Sequence, residues 1–203
     1  MKRILIVMLG LILVCSQVFA EDAVSSATLK IEKLPAAEAQ DNGILVVFFS
    51  PDDTVRAAAY TIASELSAEL FEIVPEEPYT ADDLNYFNSK ARSMTEMKDA
   101  SARQAIAALP EDLSKYHTVL LGYPIWGGQA PRILCTFLET AELSGKTIIP
   151  FCTSNSSGIG SSDTNLHPLT DESVVWLKGA RIKKGSTEED IRLFARELTA
   201  GQE

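Results

Sequence analysis

The stretch that decides the fold is TVLLGYPIWGGQAP, residues 118–131. Its first half is a continuous apolar run, which is typical of a strand buried on both faces of a sheet. Its second half is a turn that contains Gly127 and Gly128, and Pro131 suits the first turn of a helix. The stretch therefore predicts a strand, a tight loop and a helix in direct succession, which is the repeating unit of a parallel α/β sheet.

The same succession recurs along the chain. The predicted strands are 44–49, 70–74, 118–125, 146–153 and 174–182. The helices, predicted from apolar residues at helical spacing, are 54–69, 131–141 and 187–200, with one or two more within 81–109. Five strands that alternate with helices predict a doubly wound parallel sheet, in which ligands bind outside the carboxyl ends of the strands.

Three predicted loops meet at that edge of the sheet: SPDDT (50–54), GYPIWGGQAP (122–131) and TSNSSGIGSS (153–162). In the second loop, Tyr123 and Trp126 are suited to wall a flat ring, and the two glycines let backbone N–H groups approach its polar edge. The alternative interpretation is a strand end with one core aromatic residue and a flexible turn. The loop taken alone leaves both interpretations open.

These segments resemble the flavodoxin-like family, in particular its stand-alone bacterial members with a YPIWWG loop. ILVVFFS (44–50), LFEIVPEEPYTAD (70–82) and GARIKKGSTEEDIR (179–192) add to the resemblance, which runs from about residue 44 to residue 198. It implies a flavodoxin-like three-layer sandwich over residues 44–203, with a five-stranded parallel sheet in the order 2-1-3-4-5. It also implies FMN as the cofactor, and electron transfer or flavin-dependent reduction as the function.

In that family the loop after the first strand holds the phosphate, and the loops after the third and fourth strands hold the isoalloxazine ring. By this resemblance the cofactor-binding residues are Ser50, Thr54, Val55, Tyr123, Pro124, Ile125, Trp126, Gly127, Thr153, Ser154, Gly158 and Gly160. No residue is implied as a catalytic acid or base, because the flavin carries the chemistry.

The first of these loops departs from the family pattern. Asp52 and Asp53 replace a hydroxyl residue and a glycine, Val55 replaces a threonine, and Gly127 in the ring loop stands where the family often has an aromatic residue. Two carboxylates that face a phosphate would repel it. They need not face it, because either can cap the helix and Asp53 has i,i+3 spacing to Arg56. Three hypotheses follow: a working FMN site, a site for a phosphate-free flavin, or a domain that has lost FMN and acts as a docking module.

Other kinds of site are disfavoured by the sequence. Asp52-Asp53-Thr54 resembles the haloacid-dehalogenase loop, but Ser50 stands where the nucleophilic aspartate belongs. The nucleophile elbow Gly-x-Ser-x-Gly is absent. With only His117 and a second histidine, and no Cys-x-x-Cys, no metal site is expected.

Two cysteines remain beyond the N-terminal segment. We expect Cys135 to be a half-buried helix residue and Cys152 a small core residue. An oxidising compartment would also allow the two to pair. Sequence alone fixes no distance between them, so both interpretations stay open.

The N-terminus predicts export. Lys2 and Arg3 precede an apolar run over 4–15, and Ala20 closes a small-residue cleavage site, which is typical of a secretory signal peptide over 1–20. A lipoprotein signal at Cys15 is the weaker alternative, because the preceding valine is bulky. The polar segment 21–43 is predicted to be a linker or arm. We therefore expect a periplasmic or secreted protein that spans no membrane after cleavage.

The charge of the chain limits its partners. The net charge is −10, and it becomes −12 when the two basic residues of the signal peptide are removed. Such a charge opposes binding to nucleic acid and to anionic lipid. It suits a soluble protein, or one that docks on a partner with a basic surface. The expected partners are therefore a flavin, which the resemblance implies, and a redox partner protein of unknown identity.

Overall fold

The computed structural model describes residues 42–200. The predicted signal peptide and all but the last two residues of the predicted arm lie outside these residues. The strands are β1 (Ile44–Phe48), β2 (Glu69–Glu72), β3 (Thr118–Pro124), β4 (Thr147–Ser154), β5 (Val175–Trp176) and β6 (Ala180–Lys183). The helices are α1 (Asp53–Leu66), α2 (Arg92–Lys98), α3 (Ile133–Thr140) and α4 (Glu188–Ala200), with a 3₁₀ turn at His167–Leu169.

The strands form one parallel sheet in the order β2-β1-β3-β4-β5, which confirms the predicted order. The central strands are buried on both faces, and their residues alternate between two cores. Val46 and Leu120 pack with α1 and α4 on one face, whereas Val47 and Leu121 pack with α3 on the other. The fold is therefore the expected three-layer sandwich.

The last predicted strand, 174–182, is divided in two. β5 pairs with the start of β4 and β6 pairs with its end, so the sheet has six strands rather than five. The interruption lies beside Pro150, in the middle of β4. Proline has no N–H to donate to a neighbouring strand, so the pairing breaks at this point.

The helices follow the predicted apolar stripes, with differences at their ends. α1 begins one residue earlier than expected and ends three residues earlier, and its buried residues are Val55, Ala58, Ala59, Ile62 and Ala63. The long segment 81–109 contains only α2, and the rest of it is irregular. Within residues 42–200, no helix combines the length and the apolarity that a membrane crossing requires.

Candidate functional site

The carboxyl ends of β1, β3, β4 and β6 surround an open cavity of about 990 Å³. This volume lies at the upper end of the range of small-molecule sites. Its walls come from the turns that follow these strands, together with part of the segment before α2. The residues that line it are Asp52, Thr54, Ala57, Ala58, Leu84, Tyr86, Ser93, Met94, Pro124–Gly128, Thr153–Ser157, Ile182–Ser186 and Ile191.

The turn after β3 opens its backbone to this cavity. The Trp126 N–H donates to the Gln129 carbonyl at 2.9 Å, and the Gln129 N–H donates back at 2.9 Å. Gly127 and Gly128 between them have φ values of +54° and +83°, the signature of a type I′ turn. A Cβ atom added at either glycine would meet nothing within 4 Å, so the surface over this turn is free for a ligand.

Trp126 is fixed by other aromatic rings. Its ring centroid lies 5.7 Å from that of Phe49 and 5.4 Å from that of Tyr79, both in edge-to-face geometry. Tyr79 donates a hydrogen bond to Glu96 at 2.6 Å, and the Arg92 guanidinium lies 4.3 Å from its ring centroid. Burial, and then the hydrogen bond to Glu96, raise the pKa of Tyr79, so this phenol stays neutral. The indole is therefore a rigid part of the cavity wall.

Tyr123, predicted to wall a flat ring with Trp126, is not on the cavity wall. Its side chain is 0% exposed, and its hydroxyl lies 3.1 Å from the Ser162 hydroxyl. Side chains alternate along a strand, and Tyr123 shares the parity of Val119 and Leu121, which face the α3 side. Burial raises the pKa of the phenol, so Tyr123 is a neutral core residue.

The turn after β1 uses its polar groups internally. The Asp52 carboxylate caps α1 by accepting the Thr54 N–H at 2.9 Å. The Ser50 hydroxyl accepts the Arg56 N–H at 3.0 Å and donates to the Asp52 carbonyl. The side chains of Ser50 and Asp52 thus form hydrogen bonds with the backbone at the start of α1. Asp52 and Thr54 line the cavity, whereas Ser50 is buried behind it.

The two aspartates of this turn have different surroundings. The Asp53 side chain is 97% exposed and forms an ion pair with Arg56 at 2.6 Å, outside the cavity lining. Arg56 also binds Glu72 of β2 at 2.6 Å and the Ser50 carbonyl at 3.3 Å. The hydrogen bond to Glu72 is the main reason that the pKa of Arg56 is raised. Asp53 therefore points away from the cavity, whereas Asp52 lines it.

Val55, predicted as a phosphate-loop residue, is fully buried on the apolar face of α1 and does not reach the cavity. Its position follows from helical spacing, because it shares one face with Ala59 and Ile62. Ser50 likewise lies outside the lining. Of the three residues expected to hold a phosphate, only Thr54 lines the cavity.

The loop after β4 supplies hydroxyl groups to the wall. Thr153 and Ser154 line the cavity, and the Ser154 hydroxyl accepts the Ser157 N–H at 3.1 Å. Arg181 of β6 anchors this loop by donating to the Ser156 and Ser157 carbonyls at 2.7 and 2.9 Å. The cavity lining ends at Ser157. Gly158 and Gly160, the other two residues expected here, therefore lie beyond it.

Sequence reasoning missed two parts of the wall. Tyr86 and its neighbours come from a segment without helical or strand periodicity, and Tyr86 packs edge-to-face on the exposed ring of Phe87. Lys183 ends β6 and Lys184 begins the turn after it, and both line the cavity. The two adjacent lysines within GARIKKGST (179–187) are the sequence signal that could have pointed to this part of the wall.

The cysteines are not reactive groups at this site. Cys152 is the buried core residue that was expected, whereas Cys135 is buried in α3 and not half-buried, and the two are not joined to each other. Burial raises the pKa of the Cys152 thiol to about 12, which keeps it protonated at neutral pH. Within residues 42–200, no three histidine, cysteine or acidic side chains group in a way that would hold a metal ion.

A parallel sheet in this order, with a ligand-sized cavity beyond its carboxyl ends, defines the flavodoxin-like class of α/β domains. A model of the flavodoxin family matches residues 43–198. The chain therefore belongs to the flavodoxin family. None of the curated proteins compared with the chain matches it significantly.

Solved structures agree with this assignment. A candidate flavoprotein from Bacteroides eggerthii is 38% identical, with a TM-score of 0.69 and coverage of 77% of this chain and 97% of that one. A candidate flavoprotein from Bacteroides uniformis is 35% identical, with a TM-score of 0.71 and coverage of 75% and 97%. A flavoprotein from Lactobacillus acidophilus, solved in complex with FMN, is 21% identical, with a TM-score of 0.57 and coverage of 68% and 91%. This third likeness concerns the fold alone.

Proposed function

We propose that the protein binds FMN in this cavity and serves electron transfer or flavin-dependent reduction outside the cytoplasm. The observation that carries the proposal is the cavity itself, which lies where the turns after β1, β3 and β4 meet in a member of the flavodoxin family. A similar fold in Lactobacillus acidophilus was solved with FMN bound, which supports the same ligand here.

The residues of the cavity suit a flavin. An apolar and aromatic wall of Ile125, Trp126 and Tyr86 suits a flat ring, and the open backbone of the glycine turn suits its polar edge. The hydroxyls of Thr153 and Ser154 are further hydrogen-bonding groups on the same wall. The flavin would supply the redox chemistry, and the chain would orient it and limit its contact with water.

The proposal is tested by titrating the protein from Glu21 onward with FMN, followed by fluorescence quenching. Asn155→Trp fills the cavity from an exposed position whose side chain makes no hydrogen bond in the described residues. We expect this variant to lose FMN binding. Ala108→Trp, on an exposed loop outside the cavity, is the matched control and should bind normally. Wild-type protein that quenches no flavin would refute the proposal.

A redox role requires more than binding. The reduction potential of bound FMN, measured by spectroelectrochemistry, should differ from that of free FMN, because the protein surroundings stabilise the oxidation states unequally. Equal potentials would favour flavin storage over electron transfer. A basic redox partner remains part of the proposal on the ground of the acidic charge of the chain.

The export part of the proposal rests on residues outside those that the structure describes. Fractionation of a bacterial host that expresses the full chain, with sequencing of the mature N-terminus, is its test. We expect a soluble periplasmic or secreted product that begins at Glu21. Retention of Met1, or lipid attachment at Cys15, would overturn this part alone.

A docking module that has lost FMN is the second candidate function. The position of Asp52 favours it, because this carboxylate lines the cavity at the helix start where an anion would otherwise bind. The same titration separates the two functions. Absence of flavin binding by a folded wild-type protein would favour the docking module.

A further inference from the structure

The N-terminus of α1 is partly occupied by side chains of its own turn. A helix start attracts anions through its free N–H groups and its positive dipole end. Here the Asp52 carboxylate accepts the Thr54 N–H at 2.9 Å, and the Ser50 hydroxyl accepts the Arg56 N–H at 3.0 Å. A phosphate that used the Thr54 N–H would have to displace this carboxylate, and at any other N–H group of the first turn it would lie close to the same negative charge.

The cation nearest to this turn is also engaged. Arg56 binds Asp53 and Glu72, each at 2.6 Å, and it is not part of the cavity lining. It would need to abandon two carboxylates to reach a ligand. The turn after β1 therefore offers an anionic ligand a carboxylate and no available cation.

A different part of the cavity wall carries positive charge. Among its lining residues, the charged side chains are Asp52, Lys183 and Lys184. Within the described residues neither lysine forms an ion pair, although ion pairs occupy many other basic side chains of this acidic chain. The wall formed by the turn after β6 is thus the electropositive side of the cavity.

The backbone directs this turn to the ligand edge. Lys183 pairs in register with Ser154, the last residue of β4, so both lie at the carboxyl end of the sheet. The Ser186 N–H donates to the Lys183 carbonyl at 3.1 Å, and Gly185 has a φ of +82°, so the chain reverses within four residues. This tight turn keeps both lysines beside the cavity.

We propose that Lys183 and Lys184, and not the N-terminus of α1, form the anion subsite of the cavity and hold the phosphate of FMN. This inference rests on the proposed function, since it names the residues that recognise the charged end of the same ligand. Asp52 then acts as a helix cap whose negative charge disfavours an anion at the start of α1. Thr54 is left as a neutral lining residue of that wall.

The test compares FMN with riboflavin, which has the same ring and no phosphate. In Lys183→Gln/Lys184→Gln, we expect the FMN dissociation constant to rise about tenfold or more, as for a lost charge-assisted hydrogen bond, with riboflavin binding unchanged. Lys178→Gln is the matched control, because it removes an exposed lysine of the same segment that does not line the cavity. It should leave both affinities unchanged.

A second pair of variants tests the excluded position. Asp52→Asn removes the charge and keeps a good helix cap, and Asp53→Asn makes the same change outside the cavity. We expect both to change FMN affinity by less than about threefold, which corresponds to under 1 kcal/mol. A large gain in FMN affinity on Asp52→Asn, with no effect of the lysine variants, would return the phosphate to α1 and overturn the inference.

The remaining outcomes separate this inference from the proposed function. If wild-type protein binds both flavins and the lysine variants weaken both equally or neither, the lysines are ordinary solvated side chains and only the inference fails. If wild-type protein binds neither flavin, the proposed function fails and the inference fails with it.

Discussion

The turns that follow β1 and β3 lie at the same edge of the sheet, but they use their backbone groups in opposite ways. In the turn after β1, Ser50 and Asp52 satisfy N–H groups at the start of α1. In the turn after β3, Gly127 and Gly128 leave the surface above the backbone open. One turn is closed by its own side chains, and the other is held open by the absence of side chains.

The difference shows that one side of a ligand site can change while the other side keeps its structure. Each turn needs its own residues to keep its shape, and neither depends on the other for its hydrogen bonds. A change such as the two aspartates can therefore alter the phosphate side while the ring side keeps its geometry. The comparison predicts that substitutions after β3 affect flavin binding, whereas most substitutions after β1 affect stability alone.

The largest effect is expected at the open turn. Gly127→Val with Gly128→Val forces two β-branched residues into the left-handed region, at a cost of about 1–2 kcal/mol per residue. The type I′ turn should be lost, and flavin affinity should fall by about tenfold or more because the ring wall moves. Denaturant unfolding and flavin titration measure the two effects.

Gly145→Val is the control for that double variant. Gly145 has a φ of +72° in a turn outside the cavity, and a Cβ atom there would meet nothing within 4 Å. We expect a loss of stability of about 1–2 kcal/mol without any loss of flavin affinity. Normal flavin binding by the double glycine variant would show that the open turn does not form the ring site.

The next effect is expected from a matched pair of serines. Ser50→Ala removes two hydrogen bonds, from the Arg56 N–H to the hydroxyl and from the hydroxyl to the Asp52 carbonyl, and should lower the free energy of unfolding by about 1–3 kcal/mol. Flavin affinity should stay unchanged, because Ser50 does not line the cavity. Ser154→Ala removes a hydroxyl whose bond from the Ser157 N–H is exposed and can be replaced by water, so it should cost little stability. Flavin affinity should become about threefold to tenfold weaker, because Ser154 lines the cavity. A fall in flavin affinity for Ser50→Ala would contradict the comparison.

A smaller effect is expected for the helix cap. Asp52→Ala removes the acceptor of the Thr54 N–H and should cost about 0.5–2 kcal/mol of stability. Asp52→Asn should cost almost nothing, because asparagine caps a helix about as well as aspartate. Thermal unfolding of the two variants checks this, and equal losses would show that Asp52 stabilises through its charge and not through the cap.

Sequence reasoning predicted the central elements well, because their signal is local. β1, β3 and β4 are continuous apolar runs, and each was placed within one residue of its observed bounds. The divided edge strand was not predicted, since its cause is Pro150 in the neighbouring strand. The residues of 174–182 do not reveal that the neighbouring strand, β4, lacks a backbone N–H at Pro150.

The candidate site was predicted less completely, for reasons that are also physical. Tyr123 was expected on the wall that contacts the flavin ring. Side chains alternate along β3, and Tyr123 points to the same side as Val119 and Leu121, into the core. Asp52 and Asp53 are equivalent by sequence, and only the helix start and the position of Arg56 separate them. Lys183 and Lys184 lie at the cavity because β6 ends at Lys183, beside the end of β4, and the sequence pattern does not separate this short strand from β5.

The smallest effect is expected for the ion pairs of the closed turn. Arg56→Met keeps a long apolar stem against α1 and removes the pairs with Asp53 and Glu72. Asp53 is 97% exposed, and the partly buried pair with Glu72 still contacts solvent, so we expect a loss of about 0.2–1 kcal/mol. Urea unfolding measures this loss, which should be smaller at high salt. FMN affinity should not fall, since Arg56 does not line the cavity. A fall for FMN but not for riboflavin would mean that Arg56 leaves its carboxylates to bind phosphate, and the two turns would then serve one ligand together.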